Sequence, residues 1–109
     1  MIRNRTKNTL VVTDFSQKKG LGKILGLIGK KNPKTVVFTT RFGIHTFLMN
    51  FAIDVLILDK NKKIVFMKKS LKPNRIFLWN PVYNIVVELP SGSIQQSKTQ
   101  IGDIIEYRL

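Results

Sequence analysis

Phe51-Ala52-Ile53-Asp54-Val55-Leu56-Ile57-Leu58, followed by the polar turn Asp59-Lys60-Asn61-Lys62 and then by Ile64-Val65-Phe66-Met67-Lys68, is the stretch on which the reading of the fold turns. Two runs rich in β-branched and aliphatic side chains around a short polar link predict a hairpin. Side chains alternate along a strand, so Asp54 shares a face with Leu56 and Leu58 and is expected to be at least partly buried. A buried carboxylate needs a cation or several hydrogen-bond donors. His45, Arg75, a threonine hydroxyl and backbone N–H groups are the available partners, and the residues alone leave the choice open.

Outward from this hairpin, residues 9–14, 35–39, 46–49, 82–89 and 104–107 also read as strands. Between the first two, Ser16 could cap a helix in which Leu21, Ile24, Leu25 and Ile28 recur at helical spacing. Gly20, Gly22, Gly26 and Gly29 weaken it by about 1 kcal/mol each relative to alanine. The same basic amphipathic stretch resembles a membrane-surface segment. Asn32-Pro33 marks a turn, residues 71–79 read as a long irregular connection interrupted by Pro73, and residues 91–98 as a short helix or turn. The expected fold is mainly β: a small antiparallel β-sandwich or barrel-like domain with one or two short helices. At 109 residues the chain is expected to form a single domain over 1–109, with 1–8 a poorly ordered basic segment or an edge strand.

Lys and Arg number 19 against 6 Asp and Glu, a formal net charge of +13. Residues 1–41 hold Arg3, Arg5, Lys7, Lys18, Lys19, Lys23, Lys30, Lys31, Lys34 and Arg41 against Asp14 alone. Such a field attracts polyanions, so nucleic acid or an anionic surface held by Lys18, Lys19, Lys23, Lys30, Lys31 and Lys34 is one expected partner. The joint abundance of Lys, Asn and Ile also follows from an AT-rich coding sequence, with no partner implied. The absence of cysteine excludes disulfides and thiolate zinc sites, and one histidine cannot build a histidine-rich metal cluster. No metal and no cofactor is therefore expected. The glycines at 20, 22 and 26 match neither the phosphate loop of nucleotide hydrolases nor a dinucleotide-binding turn. No apolar run approaches the ~18 residues of a bilayer span, and no leader is seen, so a cytoplasmic location is expected.

His45, Asp54, Arg75, Trp79 and Lys72 are the candidate ligand-binding residues. A His45–Asp54 pair could form a general base, with the carboxylate orienting the ring, although no activated nucleophile accompanies it: Ser91 and Ser93 lie in Pro-Ser-Gly-Ser, which is not a nucleophile elbow. The competing roles are a histidine bonded within the fold and a carboxylate tying two loops together through backbone N–H groups. Arg75 and Lys72 suit an anion, and Trp79 could stack on a ring or, with Phe77, close one end of the sandwich.

The run Ile44-His45-Thr46-Phe47-Leu48-Met49-Asn50-Phe51-Ala52-Ile53-Asp54-Val55-Leu56-Ile57-Leu58-Asp59 resembles the hallmark of the domain of unknown function 192 family. The likeness continues through Val65, Leu71-Lys72-Pro73-Asn74-Arg75, Val87-Glu88-Leu89-Pro90-Ser91-Gly92-Ser93 and Ile101-Gly102-Asp103, with Gly20-Leu21 similar to an upstream family segment. It implies one mainly β domain of sandwich type and no established activity. Gly22 replaces a usual Met, Gly43 lies near a position where many members carry Cys, and Asn74 replaces a common Trp, so no thiol-dependent role can operate here.

The leading functional expectation is a binding module with a polar cleft near His45 and Asp54 for a small anionic or peptide-like ligand. The alternative is a nucleic-acid-associated basic protein. A second alternative is a small hydrolase or lyase using the His45–Asp54 pair. Whether the protein is an enzyme at all is left open by the residues.

Overall fold

The computed structural model describes residues 1–17, 35–41, 43–47 and 49–108, with backbone only at 16–17. The helix expected from Ser16 does not begin there, since Ser16 and Gln17 form a strand; its remaining residues, with Lys18, Lys19, Lys23, Lys30, Lys31 and Lys34, lie outside the described residues.

The hairpin is present, and its first strand is the centre of the molecule. We number the strands β1 (Ile2–Asn4), β2 (Thr9–Val12), β3 (Ser16–Gln17), β4 (Val36–Thr39), β5 (Ile44–His45), β6 (Ile53–Leu58), β7 (Ile64–Leu71), β8 (Ile76–Phe77), β9 (Ile85–Pro90) and β10 (Ile105–Tyr107). One short helix, α1, spans Ser93–Gln96. A five-stranded sheet runs in the order β3-β4-β9-β6-β7; a three-stranded sheet runs β10-β1-β2; β5 and β8 form a pair. All pairings are antiparallel except β3 with β4.

All six residues of β6 are buried. The cause is that both faces of the large sheet are covered, which also explains why β6 is apolar at every position but Asp54 rather than alternating. Ile53, Val55 and Ile57 point to one face and pack with Val36, Phe38, Val86 and, from the two-stranded sheet, Ile44 and Phe77. Leu56 and Leu58 point to the other and pack with Val87, Leu89, Ile94 and, from the three-stranded sheet, Ile2 and Ile105. Each fully buried aliphatic side chain contributes about 1.5–3 kcal/mol relative to exposure, so this two-faced core is the main source of stability. The turn between β6 and β7 is set by Asp59, whose side chain accepts the N–H groups of Asn61 (2.8 Å) and Lys63 (3.0 Å) while Lys62 takes a positive φ of 63°.

Three local expectations are corrected. The first strand is not an edge: β1 is the middle strand of its sheet, paired with β2 and β10. The strand expected over 46–49 is displaced to β5, which ends at His45, while Thr46 bonds the turn over 72–75 through both its hydroxyl and its backbone. The connection expected over 71–79 is not wholly irregular, since β7 extends to Leu71 and β8 pairs with β5.

A buried polar clasp joins the first strands to the last turn. Asn4, fully buried, donates to Thr99 Oγ1 (3.0 Å) and to Asp103 Oδ2 (2.8 Å), and Lys7 Nζ reaches Asp103 Oδ1 at 3.0 Å. Burial by itself raises the Asp103 carboxyl. The hydrogen bonds from Asn4, the Gln100 N–H and Lys7, together with the Lys7 charge, outweigh it and hold the group below the ordinary 3.8. No helix among the described residues is long and apolar enough to cross a membrane.

Candidate functional site

Asp54 is 1% exposed. Its Oδ1 accepts the N–H of Ser70 (2.8 Å), and its Oδ2 accepts those of Gly92 (3.1 Å) and Ile94 (2.9 Å). The local reasons are legible in the backbone. The β6–β7 register shifts between Ile53 and Val55, Ser70 adopts φ 50°, and its N–H is thereby turned out of the ladder toward the carboxylate. On the other side Gly92 takes φ 96°, a left-handed conformation, and opens α1 with no side-chain cap of its own; Asp54 caps the helix from a distant strand. The carboxylate thus ties β7 to the loop after β9. It makes no hydrogen bond with His45 or Arg75, and the anticipated His45–Asp54 general base is not assembled.

Thr46, absent from the candidates drawn from the sequence, organises the neighbouring loop. It is fully buried; its hydroxyl donates to Lys72 O (2.6 Å) and accepts the Arg75 N–H (2.9 Å), while its backbone bonds Arg75 O and the Asn74 N–H, both at 2.9 Å. Asn74 takes φ 62° within this turn. A threonine in a β-rich segment carries no mark of such a role; only its position beside His45 in the family-like run sets it apart.

Register places His45 opposite Ile76 in the β5–β8 pair. The imidazole Nδ1 accepts the Phe47 N–H at 3.3 Å, and the ring stacks on Phe47 with centroids 4.9 Å apart. Trp79 behaves differently from a ligand residue: Nε1 donates to Tyr83 O (2.7 Å), the ring lies 5.7 Å from Phe77, and both pack on the core face of β6. It closes that end of the core. Of the five candidates, then, His45, Lys72 and Arg75 are brought to one corner by β5, Thr46 and β8. Asp54 sits behind that corner, holding Ser70, and Trp79, half-buried, packs against the core.

The corner carries a groove of about 350 Å³ lined by Lys68, Lys69, Ser70, Leu71, Lys72, Arg75 and Ile76. Four of these are cations, none is an acid, and no ion pair among the described residues engages them. Sequence reasoning reached Lys72 and Arg75 but not Lys68, which read as the end of a strand, or Lys69 just beyond it. A second depression, of about 270 Å³, is lined by Arg5, Lys60, Asn61, Lys62, Ile104, Ile105, Glu106 and Tyr107. There Glu106 lies 3.9 Å from Arg5 and 2.9 Å from Arg108, so part of the positive charge is answered from within. No cluster of three or more metal-ligating side chains occurs among the described residues.

These features define a small protein of stacked β-sheets whose described surface carries a basic groove at the corner between β7 and β8. The chain belongs to the DUF192 family (Uncharacterized ACR, COG1430), whose model matches residues 5–107. It is 36% identical over 89 residues to a UPF0127 protein of Pyrococcus horikoshii, covering 76% of each chain. With a UPF0127 protein of Pyrococcus abyssi it shares 38% identity over 72 residues, 64% of this chain and 61% of that one, so it spans less than two-thirds of that relative. Among solved structures, a protein of unknown function from Novosphingobium aromaticivorans superposes with a TM-score of 0.73 at 11% identity, over 84% of this chain and 74% of that one. A structure from Sinorhizobium meliloti, described as that of a candidate transcription regulator, superposes with a TM-score of 0.68 at 14% identity, over 83% and 78%. At these identities the two structures establish the fold.

Proposed function

We propose that the protein is a binding module for an anionic ligand, small or peptide-like, held in the groove at Lys68, Lys69, Lys72 and Arg75 with His45 at its margin. The observation that carries this reading is the concentration of four cations without an acid in one concave site. Like charges set side by side repel, and a site that maintains them is lowered in free energy by any anion that enters. Arg75 offers a planar fork of donors for a carboxylate or phosphate, and the lysines add point charges. Thr46 supports the reading by fixing the backbone on which Lys72 and Arg75 stand, so that little ordering remains to be done on binding. Asp54 has a supporting part, holding the β7 wall of the groove through Ser70.

The test is equilibrium binding of a fluorescein-labelled glutamate-rich peptide, followed by anisotropy at low salt. Joint Lys72→Glu and Arg75→Glu substitution should weaken binding by about tenfold or more, since both the attraction is lost and repulsion introduced. An unchanged affinity would contradict the reading.

Nucleic-acid association is the second reading, favoured by the +13 net charge and by the description of the Sinorhizobium meliloti structure. It requires log K to fall linearly with log salt, by roughly 0.7 per phosphate neutralised on a single strand. A slope near zero for a short single-stranded oligonucleotide would remove it.

A further inference from the structure

β7 lies at the end of the five-stranded sheet, with β6 on its inner side and no strand of the described residues on its outer side. Among the described residues, only the start of that outer edge is covered: the N–H and carbonyl of Ile64 bond Asp103 O (2.9 Å) and the Gly102 N–H (2.8 Å). At the far end the bulge at Ser70 turns the backbone inward to Asp54, and the Ser70 hydroxyl meets that of Ser91 at 2.6 Å. The free edge is therefore the part of β7 between these two points, and it runs into the basic groove. An open strand edge presents a row of backbone donors and acceptors, a template for another strand.

Side chains along the edge are polarised. Toward its start stands Phe66, 39% exposed, edge-on to Tyr83 with centroids 6.1 Å apart. Toward its end stand Lys68 and Lys69, and past the bulge Lys72 and Arg75 beside Ile76, which is 61% exposed. A small inorganic anion would satisfy the cations but leave the edge and Phe66 unused. A nucleic-acid strand would meet the charges but not pair with a strand backbone.

We infer that the occupant of the groove is an extended peptide segment that adds a strand to the outer edge of β7, with an apolar half over Phe66 and an acidic half at Lys68, Lys69, Lys72 and Arg75. This rests on the anion-binding reading and narrows it to one class of partner. Main-chain pairing supplies the docking, and the charge arrangement fixes which end of the segment lies where. Lysines on an edge also discourage strands that carry no acid, so the same residues select the partner and guard against self-association.

The experiment uses the whole chain and an acetylated, amidated peptide made of a Val-Thr-Val half and a Glu-Glu-Glu half, in both sequence directions. A counterpart N-methylated in the Val-Thr-Val half keeps the charge but cannot pair along an edge. The inference expects one direction of the peptide to bind, N-methylation to weaken it about tenfold or more, and Lys68→Glu with Lys69→Glu to abolish it. Both lysines are exposed, and an unchanged circular-dichroism melt verifies that the variant is folded. Equal binding of the peptide and its N-methylated counterpart would overturn strand addition and leave the anion-binding reading standing. Binding of a single-stranded oligonucleotide in preference to either peptide would overturn it in favour of a nucleic-acid partner. Failure of every acidic probe, inorganic phosphate included, would overturn both.

Discussion

Asp54 is buried and accepts three backbone N–H groups, one of them the buried Ile94 N–H, so its replacement leaves a donor unpaired rather than merely removing a contact. Asp54→Ala should cost about 1–3 kcal/mol in urea unfolding, mainly from stranding the buried Ile94 N–H, since Ser70 is exposed and Gly92 only half-buried. A variant as stable as the parent would show that Ser70, Gly92 and Ile94 do not depend on it. Asp103 gives a prediction in pH. Its folded-state value is held below the unfolded 3.8, so its contribution is complete above that value and lost as the pH falls through the folded one. Stability should therefore decline on acidification below about pH 4, and Asp103→Asn should flatten that decline; an unaltered profile would place the acid sensitivity elsewhere. That Asp54 would be buried and bonded was legible from one acid in an apolar run. Its partners were not, because two of them lie 38 and 40 residues away and become donors only when Gly92 turns left-handed.

At the scale of elements, the β5–β8 pair and the turn over 72–75 owe their placement to Thr46 and Gly43. Thr46→Val keeps the shape but removes two hydroxyl bonds, and should cost about 1–3 kcal/mol with chemical-shift changes concentrated at Lys72 and Arg75. Gly43 has φ 86°, and a Cβ there would stand 2.9 Å from Phe77 O and closer still to Leu78 Cδ2. Gly43→Ala should destabilise by roughly 1–3 kcal/mol through backbone strain and that contact; a neutral outcome would mean that β5 and β8 can move apart. The hairpin was readable because strand pattern and turn chemistry agree over a short stretch. β5 and β8 were not, being two residues each, with an order imposed by bonds of the adjoining Thr46 to Lys72 and Arg75, 26 and 29 residues away.

For the whole molecule, the charge arithmetic placed a polyanion partner on Lys18, Lys19, Lys23, Lys30, Lys31 and Lys34, which lie outside the described residues, and did not point to the corner at β7. Lys68 and Lys69 look like ordinary strand-end lysines until the strand order puts β7 at an edge and the turn at 72–75 brings Lys72 and Arg75 beside them. The interleaving of sheets also bears on cooperativity. β1 pairs with β10, and β6 packs through its two faces against the two other sheets, so no sheet has a core of its own. Unfolding should accordingly be a single transition, with tertiary and secondary-structure probes coinciding. The most direct measurement of the central claim is a map of backbone amide shifts in the isotope-labelled protein during titration with the glutamate-rich peptide. The account predicts shifts concentrated at residues 66–72 and 75–76, saturating together. Shifts that avoid this corner, or that spread evenly over every basic residue, would contradict it.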